Sequence, residues 1–183
     1  GRHEDLEGAS LDDVVSFFKA WYVPANGTLV LAGDFEPATA KALIEKWFGS
    51  FPSSRKPVRH KRALPTLAAR TLEITDALAK QVDLRYAWHT PGNFEPGDAE
   101  LDIAADTLAQ AGTGRLYRRL VVESKLATSV VAYQQSMRHS SVFVINVRLV
   151  GGADAKKAMA IIDEEIARLR TTPIAERERG RTL

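Results

Sequence analysis

The stretch Trp21-Tyr22-Val23-Pro24-Ala25-Asn26-Gly27-Thr28-Leu29-Val30-Leu31-Ala32-Gly33-Asp34-Phe35 joins an amphipathic helix to an apolar strand through one sharp break. Ahead of it, Ser10 is placed to cap a helix whose first turn carries Asp12 and Asp13, acids favoured there by the helix dipole. Leu11, Val14, Val15, Phe18, Trp21 and Tyr22 recur at three- and four-residue spacing, which predicts one apolar face over residues 11–22. Pro24 disfavours helical geometry at Val23 and supplies no amide hydrogen to continue the helix. Asn26-Gly27 suits a turn. Residues 28–33 then read as a strand covered on both faces. Pro37 opens a helix over 37–48, with Ala40, Leu43, Ile44, Trp47 and Phe48 as its buried stripe and Gly49 in the left-handed position that ends it.

Downstream, residues 51–69 change character. Prolines at 52, 57 and 65 break regular structure, and Arg55, Lys56, Arg59, Lys61 and Arg62 place five cations in eight residues. No aromatic interleaves them to stack on bases, so the segment reads as a solvated connector and not a nucleic-acid patch. Residues 70–76 and 81–89 alternate, with Leu72 and Ile74, then Val82, Leu84, Tyr86 and Trp88, on one face of a strand pair. Asp98 is placed to cap a helix in which Leu101, Ala104, Ala105, Leu108 and Ala111 repeat. Gly112-Thr113-Gly114 interrupts before a second helix carrying Leu116, Leu120 and Val121 on one side and Arg115, Arg118 and Arg119 on the exposed side. The Gly-x-Gly pair follows a helix, not a strand, so it reads as a turn and not a phosphate cradle. Residues 128–135 and 141–150 form a hairpin around Ser136–Ser140, and Asp154 caps a last helix with Ala158, Ile161, Ile162, Ile166 and Leu169 as its stripe.

The resulting order is helix, strand, helix, strand, strand, helix, helix, strand, strand, helix. It predicts an α+β fold, a largely antiparallel sheet with helices packed on one face. Residues 1–173 read as one domain and 174–183 as the unfinished start of a following helix or a linker.

Whole-chain totals narrow the function classes. The 183 residues are 45% apolar, with a net charge of +2, which gives no global field toward nucleic acid or membrane. There is no cysteine, so no disulfide frame and no thiolate metal site. No apolar run approaches the roughly 20 residues of a membrane span. The compartment stays open between bacterial cytoplasm and periplasm. His3, Glu4, Asp5 and Glu7 cluster near the start, but a zinc site needs three or four converging ligands and one histidine is present there. His89, isolated in a strand beside Asp83 and Arg85, lacks the partners that acid–base chemistry requires.

Tyr22-x-Pro24-x-Asn26, Gly33-Asp34-Phe35 with the helix ending Trp47-Phe48-Gly49, Trp88-His89-Thr90-Pro91, Gly114-Arg115-Leu116-Tyr117-Arg118-Arg119-Leu120 and Leu126-Ala127-Thr128-Ser129-Val130 follow one another in order. In this order and spacing the chain resembles the pitrilysin/insulinase-type zinc metallopeptidase family, to which mitochondrial processing peptidase and respiratory-complex core proteins belong. Active members carry His-x-x-Glu-His on a helix. His3, His60, His89 and His139 are too scattered to form it.

The resemblance therefore implies a second, zinc-free domain. It implies zinc in the preceding domain of the parent, a peptide substrate, and contacts with the parent's other domains or half, or with a homologous subunit. Gly112, Gly114, Arg115, Tyr117, Arg118 and Arg119 are the residues it implies for substrate or interdomain contact. The Arg and Tyr that help hold substrate in the family's zinc-free half match Val121 and Thr128 here, which cannot replace them. Two readings stay open: the non-catalytic domain of a zinc endopeptidase, forming chamber wall, or a structural and assembly subunit without protease activity.

Overall fold

The computed structural model describes residues 2–59 and 67–182. The chain divides into two compact units, Gly1–Ala63 and Leu64–Leu183. Lys61, Arg62 and Pro65 of the connector, and His60, lie outside the described residues. Arg55, Lys56 and Arg59 are exposed on irregular backbone.

The first unit holds α1 (His3–Glu7), α2 (Leu11–Trp21) and α3 (Pro37–Phe48). Ser10 caps α2 in a reciprocal pair: its Oγ accepts from Asp13 N at 3.2 Å, and Asp13 Oδ2 accepts from Ser10 N at 2.9 Å. The break falls at Pro24, in a single 3-10 turn. There Asn26 Nδ2 donates to the Trp21 carbonyl at 2.9 Å, satisfying one of the oxygens the helix end leaves open.

Three expectations fail in this unit. Residues 28–33 belong to no sheet, and Val30 is 80% exposed, because an apolar run becomes a strand only where a neighbour supplies the ladder. Gly49 is right-handed, at φ −62°, so the helix ends without the left-handed turn. The apolar stripes of α2 and α3 also stay uncovered: no described residue of this unit is buried, and Trp47 is 65% exposed. Three short helices offer too few layers to enclose a core.

The second unit is built on a three-stranded antiparallel sheet, β1 (Asp83–Thr90), β2 (Ala127–Gln135) and β3 (Ser141–Leu149), in the order β1-β3-β2. Residues 70–76 form no strand, a further correction to the sequence reading. Leu72 and Ile74 are each more than three-quarters exposed, since the pairing they needed is non-local. In register, Leu84–Val147–Val130 and Tyr86–Ile145–Ala132 share one face.

Against that face pack α4 (Asp98–Ala109), α5 (Arg115–Tyr117) with the π-helical stretch Arg118–Glu123 that continues it, and α6 (Ala155–Thr171). They contribute Ala105, Leu108, Leu116, Leu120, Ala158 and Ile162 to one core. Asp154 caps α6 as its position predicts, accepting from Lys157 N at 3.1 Å. The helix-on-one-face α+β arrangement expected from the sequence is present. No helix among the described residues is long and apolar enough to cross a membrane.

Asp98 departs from its expected role. It is the first residue of α4 rather than its cap, and it is buried. Its carboxylate accepts from Ser136 Oγ at 2.7 Å, Gln134 Nε2 at 3.0 Å and Phe94 N at 3.0 Å. Gln134 in turn meets Thr90 Oγ1. The bonds from Ser136 and Gln134 hold the carboxyl below its ordinary range. Its contribution to stability is therefore present in full above the ordinary carboxylate pKa and is lost as the pH falls below it.

Leu120→Ala is expected to cost about 2–5 kcal/mol, whereas Leu72→Ala, at an exposed position, should change stability by no more than about 0.5 kcal/mol; urea titrations measure both. Asp98→Asn should lower the midpoint of urea unfolding at neutral pH, and the gap from the parent chain should close as titrations are repeated down through the carboxylate range.

Candidate contact site at the α4–α5 junction

The junction begins where α4 runs out. Gln110 N still bonds Asp106 O, and then the Gln110 carbonyl accepts from both Thr113 N and Gly114 N. Gly112 has φ +80°, a conformation L side chains rarely adopt, which turns the chain back. Gly114 answers a different need. A Cβ there would lie 2.6 Å from Gln110 N and 2.7 Å from the Leu108 carbonyl, so only a bare backbone lets α5 start this close to the end of α4. Gly-x-Gly is thus a helix-to-helix turn, as its position after a helix predicts.

From Gly114 the Arg118 amide bonds back at 2.8 Å, and then the spacing widens: Ser124 N reaches the Arg119 carbonyl at 3.0 Å, a five-residue step. Leu116 and Leu120 point into the core, both fully buried. Arg115 and Arg119, four residues apart, share another side. Arg118 lies out in solvent, loosely opposite Glu123 at 3.8 Å, and Tyr117 is half-buried.

The expectation that the three arginines line an exposed face holds for Arg118. The other two are taken up by acids of this same chain. Arg115, with its side chain 11% exposed, forms a fork on Glu178: Nε to Oε1 and Nη2 to Oε2, both 2.7 Å. Arg119 spans two neighbours on α6, Nη2 to Glu164 Oε2 at 2.7 Å and Nη1 to Glu165 Oε1 at 3.0 Å. Glu165 is 3% exposed, and its Oε2, like Arg115 Nη1, is buried without a hydrogen bond among the described residues.

These acids lie 45 to 63 residues along the chain, so no local motif marks them. The amphipathic pattern of α6, which sets Glu165 within its apolar stripe and Glu164 on the polar side, is the one trace in the sequence. The Arg115 fork holds the Glu178 carboxyl at about 2, against an ordinary 4.5. That difference corresponds to roughly 3 kcal/mol. It is present in full above the ordinary value and is lost as the pH falls toward 2.

Elsewhere the titratable groups stand apart. His3 meets Glu7 across one turn of α1 at 3.3 Å, and His89 Nδ1 lies 3.2 Å from Ser140 Oγ. Tyr86, on the core face of β1, has its hydroxyl pKa raised by burial and then by the negative charge of Asp163. The described residues contain no group of three or more His, Cys, Asp or Glu able to hold a metal ion, so they do not fit a zinc centre. The positions matched to the family's substrate-holding Arg and Tyr are an apolar residue packed against the core, Val121, and a bulge residue, Thr128, whose Oγ1 donates to the Arg148 carbonyl at 3.2 Å.

The family model for the peptidase M16 inactive domain matches residues 8–182. The zinc protease PqqE of Helicobacter pylori is 23% identical over 177 residues, which cover 92% of this chain and 38% of that protein. Among solved structures, the peptidase M16 inactive domain from Pseudomonas fluorescens superposes with a TM-score of 0.72 at 16% identity, over 100% of this chain and 44% of that one. A chain of complex III from Candida albicans gives 0.75 at 17% identity, over 100% and 44%. The chain spans less than half the length of these relatives. With its antiparallel sheet and one-sided helices, it belongs to the peptidase M16 inactive-domain family, a non-catalytic domain of zinc-protease-like proteins.

Proposed function

We propose that this domain serves a larger zinc endopeptidase by forming part of the wall of its substrate chamber and by contacting a neighbouring domain, with zinc held in the preceding domain of the parent. The observation that carries the reading is the inactive-domain match over residues 8–182, in a chain with no His-x-x-Glu-His. Similarity to a curated zinc protease supports the same assignment. Residues 1–173 are read as one domain of that parent. Peptide is the substrate class this implies for the parent, and the parent's other domains or half are the partners.

Within the junction, the outward-facing groups suit the contact role. Arg118 is the arginine of the row left in solvent, and Gly112 and Tyr117 flank the same turn. Arg115 and Arg119 would act by holding that turn rigid. The Arg119 pairs hold the π-helical stretch on α6 and the Arg115 fork holds α5 on the segment that carries Glu178, while Arg118 meets an acidic group opposite.

The fold-level likeness to a complex III chain favours one alternative, a structural subunit whose parent has no protease activity. The two readings separate on the parent sequence ahead of residue 1, where an intact His-x-x-Glu-His supports the peptidase and a degraded one the subunit.

For the isolated chain the expected outcome is no stoichiometric zinc by elemental analysis and no turnover of a fluorogenic peptide. Metal-dependent turnover by this chain alone would overturn the assignment. In the parent, Arg118→Glu should reduce peptide hydrolysis through weakened domain contact while leaving zinc content unchanged.

A further inference from the structure

The loop between β1 and α4 holds one side chain where its own chemistry does not favour it. Phe94 is 95% exposed, and its backbone is left-handed at φ +63°. Glycine takes that conformation freely and asparagine or aspartate tolerates it, whereas a bulky L residue is strained there. Such a residue persists only where its surroundings over-determine it.

The surroundings of Phe94 do so. All four amides from Gly92 to Glu95 are hydrogen-bonded: Gly92 N donates to Glu95 Oε2 at 3.1 Å, Asn93 N to the Met137 carbonyl at 2.9 Å, Phe94 N to Asp98 Oδ2 at 3.0 Å and Glu95 N to the Gly92 carbonyl at 3.0 Å. Asp98 in turn accepts from Gln134 and Ser136, so the loop is tied to the end of β2 and to the hairpin loop 136–140. Gly92 is buried, and a Cβ on it would come to 3.0 Å from the Arg138 carbonyl. The phenyl ring therefore projects from a fixed base. Met137, 44% exposed, adds an apolar side chain from the hairpin loop. Arg138 and His139 follow it, both exposed, and neither side chain has an ion pair or hydrogen bond among the described residues.

We propose that Phe94 is a docking anchor, which with Met137 and Arg138 enters an apolar socket with an acidic rim on another folded domain or subunit of the parent. This rests on reading the chain as one domain of a larger protein. A projecting ring requires a partner that brings the concavity; a folded surface has one and an extended peptide does not. Aromatic and arginine side chains dominate the energetics of protein interfaces, and a loop ordered beforehand loses little entropy on docking. The acidic rim answers the unpaired Arg138 guanidinium.

Two measurements test it. Phe94→Gly relieves the backbone strain, so in this chain alone the midpoint of urea unfolding should stay level or rise, while in the parent the midpoint of the same domain should fall. A rise in both overturns the proposal, because the ring then meets nothing; a fall in the chain alone overturns it too, because the ring then packs within its own domain. In the second, Phe94→p-benzoylphenylalanine in the folded parent is irradiated and the adducts are mapped by mass spectrometry. The expected product joins position 94 to a residue of the parent or its subunit outside residues 1–183. Adducts confined to this chain, to an added peptide substrate or to added phosphatidylcholine vesicles overturn the assignment. Zinc content and peptide turnover are measured on the same parent. The expected adduct without zinc or turnover sinks the peptidase reading and leaves the anchor standing, and turnover without the adduct sinks the anchor alone.

Discussion

Residues 141–149 carry two hydrogen-bond ladders and one apolar layer at once, and the second unit is built round that double demand. β3 pairs with β1 on one side and β2 on the other, so its backbone groups are satisfied along both edges. Ile145, Val147 and Leu149 are fully buried, each worth about 1.5–3 kcal/mol relative to exposure. A strand with these duties must be rich in β-branched and aromatic residues, and Ser-Val-Phe-Val-Ile-Asn-Val-Arg-Leu is. Because the helices cover one face, the opposite face can carry Asp83 and Arg148, paired across the ladder at 3.0 Å.

Polar groups in this unit locate elements that the apolar layer alone would leave free to slide. Asp98 ties the start of α4 to the end of β2, and Arg119 ties the π-helical stretch to α6. A buried ion pair is weak evidence for net stability, because the cost of desolvating both charges offsets their attraction. Its consequence here is positional. Glu165 lies among apolar neighbours on α6 and has to face the Arg119 guanidinium, which fixes how far the helix is rotated.

What could be read from the sequence was what depends on neighbours a few residues away. The Ser10 and Asp154 caps, the Pro24 break, the Gly112 turn and the stripes of α4 and α6 all rest on local geometry, and each is where its residues put it, apart from Ala111, which lies past the end of α4 and is exposed. β1, β2 and β3 were also legible, since alternation and β-branched content coincide with segments that found partners. Residues 28–33 and 70–76 show the same signals without the ladder, and nothing within either segment distinguishes the cases. Asp98 failed as a cap for a related reason: its partners, Gln134 and Ser136, are 36 and 38 residues distant. At the candidate site, the glycines and the outward Arg118 were legible. The acids that occupy Arg115 and Arg119 were not, because only the packed helices bring them near.

Between Val121 and Thr128 the chain passes through two irregularities. The π-helical stretch Arg118–Glu123 takes an extra residue into its turn, and β2 opens with a bulge between Ala127 and Ser129. Each inserts one residue without advancing the regular repeat. A gap of seven positions in this chain therefore measures a different path through space from a gap of seven in a homologue with a plain helix and an even ladder. Residue counting across this join transfers a role from one family member to another only where both kinks recur, and superposed backbones are the sounder guide.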